Sequence, residues 1–303
     1  MCPLFIFTGC QKQPSPAAQQ IQAPSPTPQQ VSRSPGKVKI LFVGDLMFDR
    51  YVRQKYQGHF EDAFSEVKKL FSQMDLVVAN LEGPIVDWTP PLNLDSQHLS
   101  FAFLPEVARA LAASKIKLVS LANNHTGDQG QRGLEATRQL LEKNKIAYFG
   151  TPHGFDPATG LTRLEIKGQQ LSFVGVNALE EFNQNQVLKT IKQEASTRKV
   201  FVVVHWGKEY QKQSNSQQQN LAHAFIEAGA TAVIGSHPHV IQEVETYQEK
   251  PIFYSLGNFL FDQYFDEATQ KGLAVEFILS PQGTIEYVQY LIDLHSSQPK
   301  VIS

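Results

Sequence analysis

Six places in this 303-residue chain follow a short apolar run with residue types that bind cations or move protons. Gly44-Asp45 follows the run 38–43, Asn80-Leu81-Glu82 follows 76–79, and Asn123-Asn124-His125 follows 118–122. His205-Trp206-Gly207 follows 200–204, Ser236-His237-Pro238-His239 follows 232–235, and Gly257-Asn258 follows 252–256. These endings supply the carboxylates of Asp45 and Glu82, the amide of Asn124 and the imidazoles of His125, His205, His237 and His239. A mixed nitrogen and oxygen donor set without thiolate suits Zn, Mn or Fe better than a soft ion. His237 and His239 flank a single proline, so an extended or turn backbone sets them at neighbouring coordination positions or on two adjacent ions. Two ions about 3.5–4 Å apart clamp a transferring phosphoryl group and generate hydroxide near neutral pH. Taken alone, each motif has a plainer reading: a Gly-Asp turn, a helix start at Asn-Leu-Glu, a left-handed Asn-Asn turn, a packed His-Trp pair. Their recurrence at the same kind of place points to one shared, metal-holding polar site.

The elements that must position these residues follow from hydrophobic pattern. Continuous apolar runs of this length read as strands buried on both faces. Segments 60–71, 105–113, 129–142 and 217–228 carry helical apolar spacing. Strands alternating with helices imply βαβ units, whose strand C-termini gather on one sheet edge where ligands bind. Residues from Asp45 to Asn258 can therefore converge, which argues for one body and against two independent domains. Runs 161–166 and 170–176 flank Lys167-Gly168-Gln169, and runs 272–279 and 284–290 flank Ser280–Gly283. Both read as hairpins, so the sheets are expected to be mixed.

Composition narrows the partners. The net charge is -2 with no Lys/Arg block, which excludes a nucleic-acid binder relying on a basic footprint. The two cysteines, Cys2 and Cys10, both lie in the first ten residues, so the body has no disulfide framework, thiolate zinc site or Cys nucleophile. Residues 1–10 end in Phe7-Thr8-Gly9-Cys10, similar to a bacterial lipoprotein cleavage box, with Cys10 as the lipidated residue. Residues 11–36 are rich in Gln, Pro and Ser and read as a disordered tether. A folded body over 37–296 and a C-terminal tail over 297–303 complete the expected organisation. The expectation is a bacterial, extracytoplasmic, membrane-anchored lipoprotein.

As an ordered set, Gly44-Asp45-Leu46-Met47, Asn80–Pro84, Ala122–His125 with Asp128 and Gly130, His205-Trp206-Gly207 with Glu209-Tyr210, Gly235–Val240 and Tyr254–Phe259 resemble the poly-γ-glutamate capsule-synthesis (CapA-type) family. That family is similar to the calcineurin-like metallophosphoesterases, and the resemblance implies their α/β sandwich of two mixed β-sheets flanked by helices. It implies Asp45, Glu82 and His239 as ligands of one divalent ion and Asn124, His205 and His237 as ligands of a second. It implies His125 as the proton donor to a leaving group, oriented by Asp128. Metallophosphoesterases usually carry a histidine two residues after the first aspartate; here that place is Met47, a weak ligand for such cations. Four further residues face substrate in this reading. Arg50, paired with Asp49 at the rim, meets an anion; Trp206 shapes a pocket wall or packs; Glu209 supports a ligand imidazole or is a solvated acid; Asn258 braces the cleft. The function implied is a CapA-type capsule synthesis protein, working as a metal-dependent hydrolase or transferase outside the cytoplasm. Its substrate would be an anionic polymer or a phosphoester, handled within a membrane-bound synthesis complex. The alternative is a non-catalytic accessory or anchoring subunit for synthesis or export of the polymer.

Overall fold

The computed structural model describes residue 1 and residues 36–302 except 96 and 98. Apart from Met1 and Gly36, the expected leader with Cys10 and the tether over 11–36 lie outside the described residues. The body begins with β1 (Val38–Leu46), α1 (Arg50–Tyr56), a 3₁₀ stretch (Phe60–Val67), α2 (Lys68–Ser72) and β2 (Leu76–Leu81). Next come α3 (Glu106–Ala113), β3 (Ile116–Ser120), α4 (Gly130–Lys143) and β4 (Ala147–Phe149). β5 (Leu161–Ile166), β6 (Gln169–Asn177), α5 (Gln184–Ala195), β7 (Lys199–His205), α6 (Ser216–Glu227) and β8 (Ala232–Ser236) follow. The chain finishes with β9 (Val244–Tyr247), β10 (Lys250–Phe253), β11 (Asn258–Leu260), β12 (Lys271–Leu279), β13 (Ile285–Asp293) and β14 (Lys300–Val301).

One sheet runs β14-β13-β12-β1-β2-β3-β4, with β11 pairing parallel to the end of β1. The other runs β5-β6-β7-β8-β10-β9. Strands β1 to β4 are mutually parallel, as are β6, β7, β8 and β10, while β12, β13, β14, β5 and β9 add antiparallel edges. Strand alternation sorts the core. Val38, Ile40 and Phe42 of β1 enter the layer between the sheets, whereas Leu41 and Val43 face the layer under α1 to α3. A third layer, with Val202, Val204 and Val233, lies under α5 and α6. Between the sheets, Phe42 lies 5.3 Å from Phe201 and edge-on to Phe277 at 5.6 Å, and Phe173 stacks on Phe201 at 5.7 Å. Such pairs add about 0.5–1.5 kcal/mol each beyond their buried area.

The hairpins form where expected. Lys167 and Gly168 both have positive φ, the requirement of a two-residue type I′ turn between β5 and β6. The single helix expected over 60–71 is instead a 3₁₀ stretch followed by α2; over so short a segment, apolar spacing does not separate 3.0 from 3.6 residues per turn. The expected tail from residue 297 includes β14, which pairs with β13, so the folded body extends beyond 296. No helix among the described residues is long and apolar enough to cross a bilayer.

Outside the strand edge, one buried acid ties the second sheet to its helix. Glu194 sits in the last turn of α5, where the helix dipole opposes a negative charge. Arg163 of β5 grips it through two hydrogen bonds of 2.9 and 2.7 Å, and the buried Ser172 hydroxyl donates at 2.5 Å. The Arg163 bonds lead in lowering the Glu194 pKa, against the opposing effect of burial. Glu194→Ala strands the Ser172 hydroxyl and should cost about 1–3 kcal/mol, read by urea unfolding at pH 7. Because the folded pKa lies below the unfolded one, this contribution is complete above the ordinary carboxylate pKa. The gap between wild type and variant should therefore close as pH falls through the lowered value.

Candidate metal centre

The C-terminal ends of the parallel strands in both sheets meet at one edge, because the ends of β1 and β8 approach each other there. Gly44 and Gly235 admit the segment between β10 and β11, which passes against both strand ends. A Cβ on Gly44 would lie 1.9 Å from the Gly257 carbonyl oxygen, and one on Gly235 would lie 2.0 Å from that of Tyr254. Neither position can accept another residue without moving backbone. Beyond β8, His237 and His239 hold φ values of 95° and 57°, a left-handed region that non-glycine side chains adopt at a cost. The His237 N–H lies 3.4 Å from Asp45 Oδ2, joining this turn to β1 of the other sheet.

Two carboxylates form the floor. Asp45 and Glu82 are fully buried, and a single amide serves both: Asn80 Nδ2 donates to Asp45 Oδ1 at 2.8 Å and to Glu82 Oε2 at 3.3 Å. Asn123 Nδ2 holds Asn80 by its Oδ1 at 3.0 Å, which fixes the amide's orientation. His239 lies between the acids, with Nδ1 3.4 Å from Asp45 Oδ2 and Nε2 3.4 Å from Glu82 Oε1. Asn258 Oδ1 meets the same Nδ1 at 2.9 Å, and its Nδ2 donates to Thr269 and Gln263. Asn258 thus braces a site histidine from inside the structure.

On the opposite side, His205 Nε2 is 2.8 Å from Asn124 Oδ1, and its Nδ1 is 2.8 Å from Ser236 Oγ. The His205 and His237 rings are 4.8 Å apart. His125 adjoins this group: Nδ1 lies 2.9 Å from Asp128 Oδ2, and the ring packs 4.4 Å from that of Phe101. The structure therefore brings together Asp45, Glu82, Asn124, His125, Asp128, His205, His237 and His239 from the ends of five strands, β1, β2, β3, β7 and β8, at one edge.

The donors fit a divalent cation. Asp45, Glu82 and His239 each offer one ligand atom, all within 4.8 Å of one another, and so do Glu209, His237 and His239. Donors roughly 2.1 Å from one ion stand roughly 3–3.4 Å apart, the spacing seen between His239 and Glu82. Glu82 Oε1 and His237 Nδ1 are buried without a hydrogen-bond partner among the described residues. Unpaired buried polar atoms are costly, so this pair marks a place built for a further group.

Electrostatics agree. Burial, then repulsion from Asp45, raises the Glu82 pKa well above the ordinary carboxylate range. Burial, then the His237 and His239 charges, pushes His205 down, and burial with His239 lowers His237 to about 4. Both rings are thus neutral and their lone pairs available to a metal. For His239, burial also disfavours charge, but the Glu82 and Asp45 carboxylates outweigh it and raise its pKa to about 9.

Several sequence expectations change. Arg50 does not stand at an open rim paired to Asp49: it is 5% exposed, its guanidinium joins Asp262, and it lies 5.1 Å from the Phe101 ring centre. Asp49 instead caps α1 by accepting from Arg50 N and also accepts from Ala102 N. Trp206 packs in the core under α6, stacked on Tyr254 and donating to its carbonyl oxygen at 2.8 Å, rather than shaping the wall of this pit. Met47 is fully buried in the core under α1 to α3 and takes the Asp49 N–H at its sulfur. Asn80, Asn123, Ser236 and Asp262 were not singled out by residue type. The only signal for Asn80 was its alternation with Glu82 on one strand end.

Two mixed sheets flanked by helices, with the donors at a shared strand edge, constitute a metallophosphoesterase-like fold. The structure of a novel phosphatase from Mycoplasma pneumoniae is similar, with a TM-score of 0.55 over 86% of this chain and 95% of that one at 15% identity. Residues 39–263 match the family described as Bacterial capsule synthesis protein PGA_cap, and the chain belongs to that family. It is 30% identical over 291 residues to the PGA biosynthesis protein CapA of Bacillus subtilis (strain 168), covering 90% of this chain and 76% of that protein. It is 27% identical over 288 residues to the Capsule biosynthesis protein CapA of Bacillus anthracis, covering 88% and 70%.

In EDTA, the metal-free protein should lose stability in both directions from about pH 6.5. His239 is protonated more readily folded than unfolded, so its contribution is complete below 6.5 and lost as pH rises through about 9. That loss is on the order of 3 kcal/mol and should show as a falling Tm. Glu82, also raised, acts in the same sense. His205 and His237 act oppositely: folding excludes their protons, so stability falls as pH drops below 6.5 toward the lowered values. A Tm that stays flat from pH 6.5 to 9.5 would contradict the placement of His239 between two carboxylates.

Proposed function

We propose that the protein is a divalent-metal-dependent hydrolase or transferase of capsule polymer synthesis, acting outside the cytoplasm on a poly-γ-glutamate chain or a phosphoester. The observation that carries this reading is a pair of buried ligand atoms in one pit, Glu82 Oε1 and His237 Nδ1, that have no hydrogen bond among the described residues. Family membership and the names of the Bacillus relatives support the capsule context. The lipoprotein-like Cys10 and the Gln/Pro/Ser stretch behind it support a membrane-held location.

In this reading Asp45, Glu82 and His239 hold one Mn, Fe or Zn ion, and Asn124, His205 and His237 hold a second. When bound, the metal polarises the scissile phosphoryl or carbonyl group and makes water a nucleophile near neutral pH. The chain's own residues supply the rest. Asn80 keeps the Asp45 and Glu82 oxygens apart from competing donors and in register. Asn258 and Ser236 fix the His239 and His205 rings through their Nδ1 atoms. Asp128 accepts from His125 Nδ1, which orients the ring so that Nε2 is the atom that gives a proton to the leaving atom. Because a leaving alkoxide or amine needs a proton, this pair serves either an ester or an amide bond.

Elemental analysis of the purified full chain should find a divalent metal, and the double variant His237→Ala, His239→Ala should lose it. His125→Ala should keep the metal and lower kcat about 10²–10⁴-fold toward a phosphodiester or a γ-glutamyl peptide. Asp128→Asn should show a smaller loss. A His125→Ala variant with unchanged turnover and unchanged support of capsule formation would favour the accessory reading.

A further inference from the structure

Met47 leaves the floor of the pit with one histidine fewer than a metallophosphoesterase usually brings, and the structure places a different acid at the mouth. Glu209 lies in the loop after β7. Gly207 turns the chain there at φ 86°, and the Tyr210 N–H donates to the Pro238 carbonyl oxygen at 2.8 Å. That bond locks the loop onto the residue between His237 and His239. Farther along, the Tyr210 hydroxyl accepts from Gln263, and Gln263 accepts from Asn258, the residue that orients His239. The loop is thus tied to the histidine turn through both its backbone and a side-chain relay.

We infer that Glu209 is itself a metal ligand, closing the solvent side of the centre together with His237 and His239. One donor atom from each of the three lies within 4.8 Å of the other two. The second observation is independent of the acid: His237 is 7% exposed and its Nδ1 has no hydrogen-bond partner among the described residues. An exposed carboxylate beside two buried imidazoles supplies the negative charge and the oxygen donor that Met47, sunk in the core, does not. It also places a displaceable ligand where substrate enters, since Glu209 alone of the three is solvent-exposed. This assignment rests on the metal reading above, and replaces the expectation that Glu209 only supports an imidazole or contacts substrate.

The test uses the full chain stripped with EDTA and titrated by calorimetry with MnCl₂, and by visible absorption with CoCl₂. Glu209→Gln, and Glu286→Gln on the exposed face of the edge hairpin strand β13 as a surface control, are compared with wild type. Glu209→Gln should weaken Mn affinity at least about tenfold and change the Co absorption envelope, while Glu286→Gln changes neither. Its metal-free Tm should equal that of wild type, because the side chain is exposed, which separates a lost ligand from a damaged fold. Glu209→Asp should recover part of the affinity. Wild-type affinity and spectrum in Glu209→Gln overturn the assignment and leave the metal reading intact. A wild-type chain that binds neither ion overturns both.

Discussion

Two carboxylates sit side by side with no exposure to water, and the rest of the architecture answers to that fact. An ionised carboxylate moved out of water loses several kcal/mol unless donors or cations replace its hydration. Asp45 and Glu82 share one amide, one imidazole and a distant backbone N–H. That is sparse provision for two negative charges, and one Glu82 oxygen is left with no hydrogen bond. In the protein alone, burial and the neighbouring Asp45 raise the Glu82 pKa well above the ordinary carboxylate range, and the two acids raise that of His239 to about 9. A bound divalent cation would answer the same deficit more completely, taking the place of the His239 proton.

Holding such a group together takes rigid backbone rather than more side chains. The ends of β1 and β8 each take the chain between β10 and β11 at a glycine, where a single Cβ would collide with a carbonyl oxygen. The left-handed turn carrying His237 and His239 is anchored from three sides: to Asp45 on β1, to Tyr210 after β7 and, through Asn258, to β11. Strain at a binding turn persists only when its surroundings over-determine it. The aromatic layer around Phe42, Phe201 and Phe277 does this from below, since it fixes the distance between sheets whose ends carry the opposing donors.

The strands that present the site were legible because parallel strands buried on both faces write continuous apolar runs, and their polar endings stand out against them. Asp45, Glu82, His205 and the histidine turn were visible for that reason. The relay residues were not. Asn80, Asn123 and Ser236 carry no type that announces a site; each matters through a partner distant in the chain. Arg50 was misplaced because its neighbour Asp49 offered a local ion pair, whereas the true partner, Asp262, stands 212 residues away. Helix α5 was missed for a different reason. Its buried stripe of Val187, Thr190, Ile191 and Glu194 is half polar, and the Glu194 network with Arg163 and Ser172 does the work that another aliphatic residue would signal.

Met47 shows why the donor set is lopsided. Its side chain is buried with Phe48, Phe64 and Phe103 and takes the N–H of Asp49 at its sulfur. Asp49 is thereby free to cap α1 and to hold Ala102, the neighbour of the Phe101 ring against which His125 packs. The segment after β1 therefore spends its residues on building the wall that positions His125, not on the ions. An imidazole at 47 would have to leave an apolar core to reach the carboxylates, opening a cavity among aromatic rings at a cost of several kcal/mol. The missing donor can be supplied more cheaply from the solvent side, where a loop already fastened to Pro238 needs no core to be emptied. The asymmetry of the centre, buried acids below and accessible chain above, follows from that choice of where to place the packing.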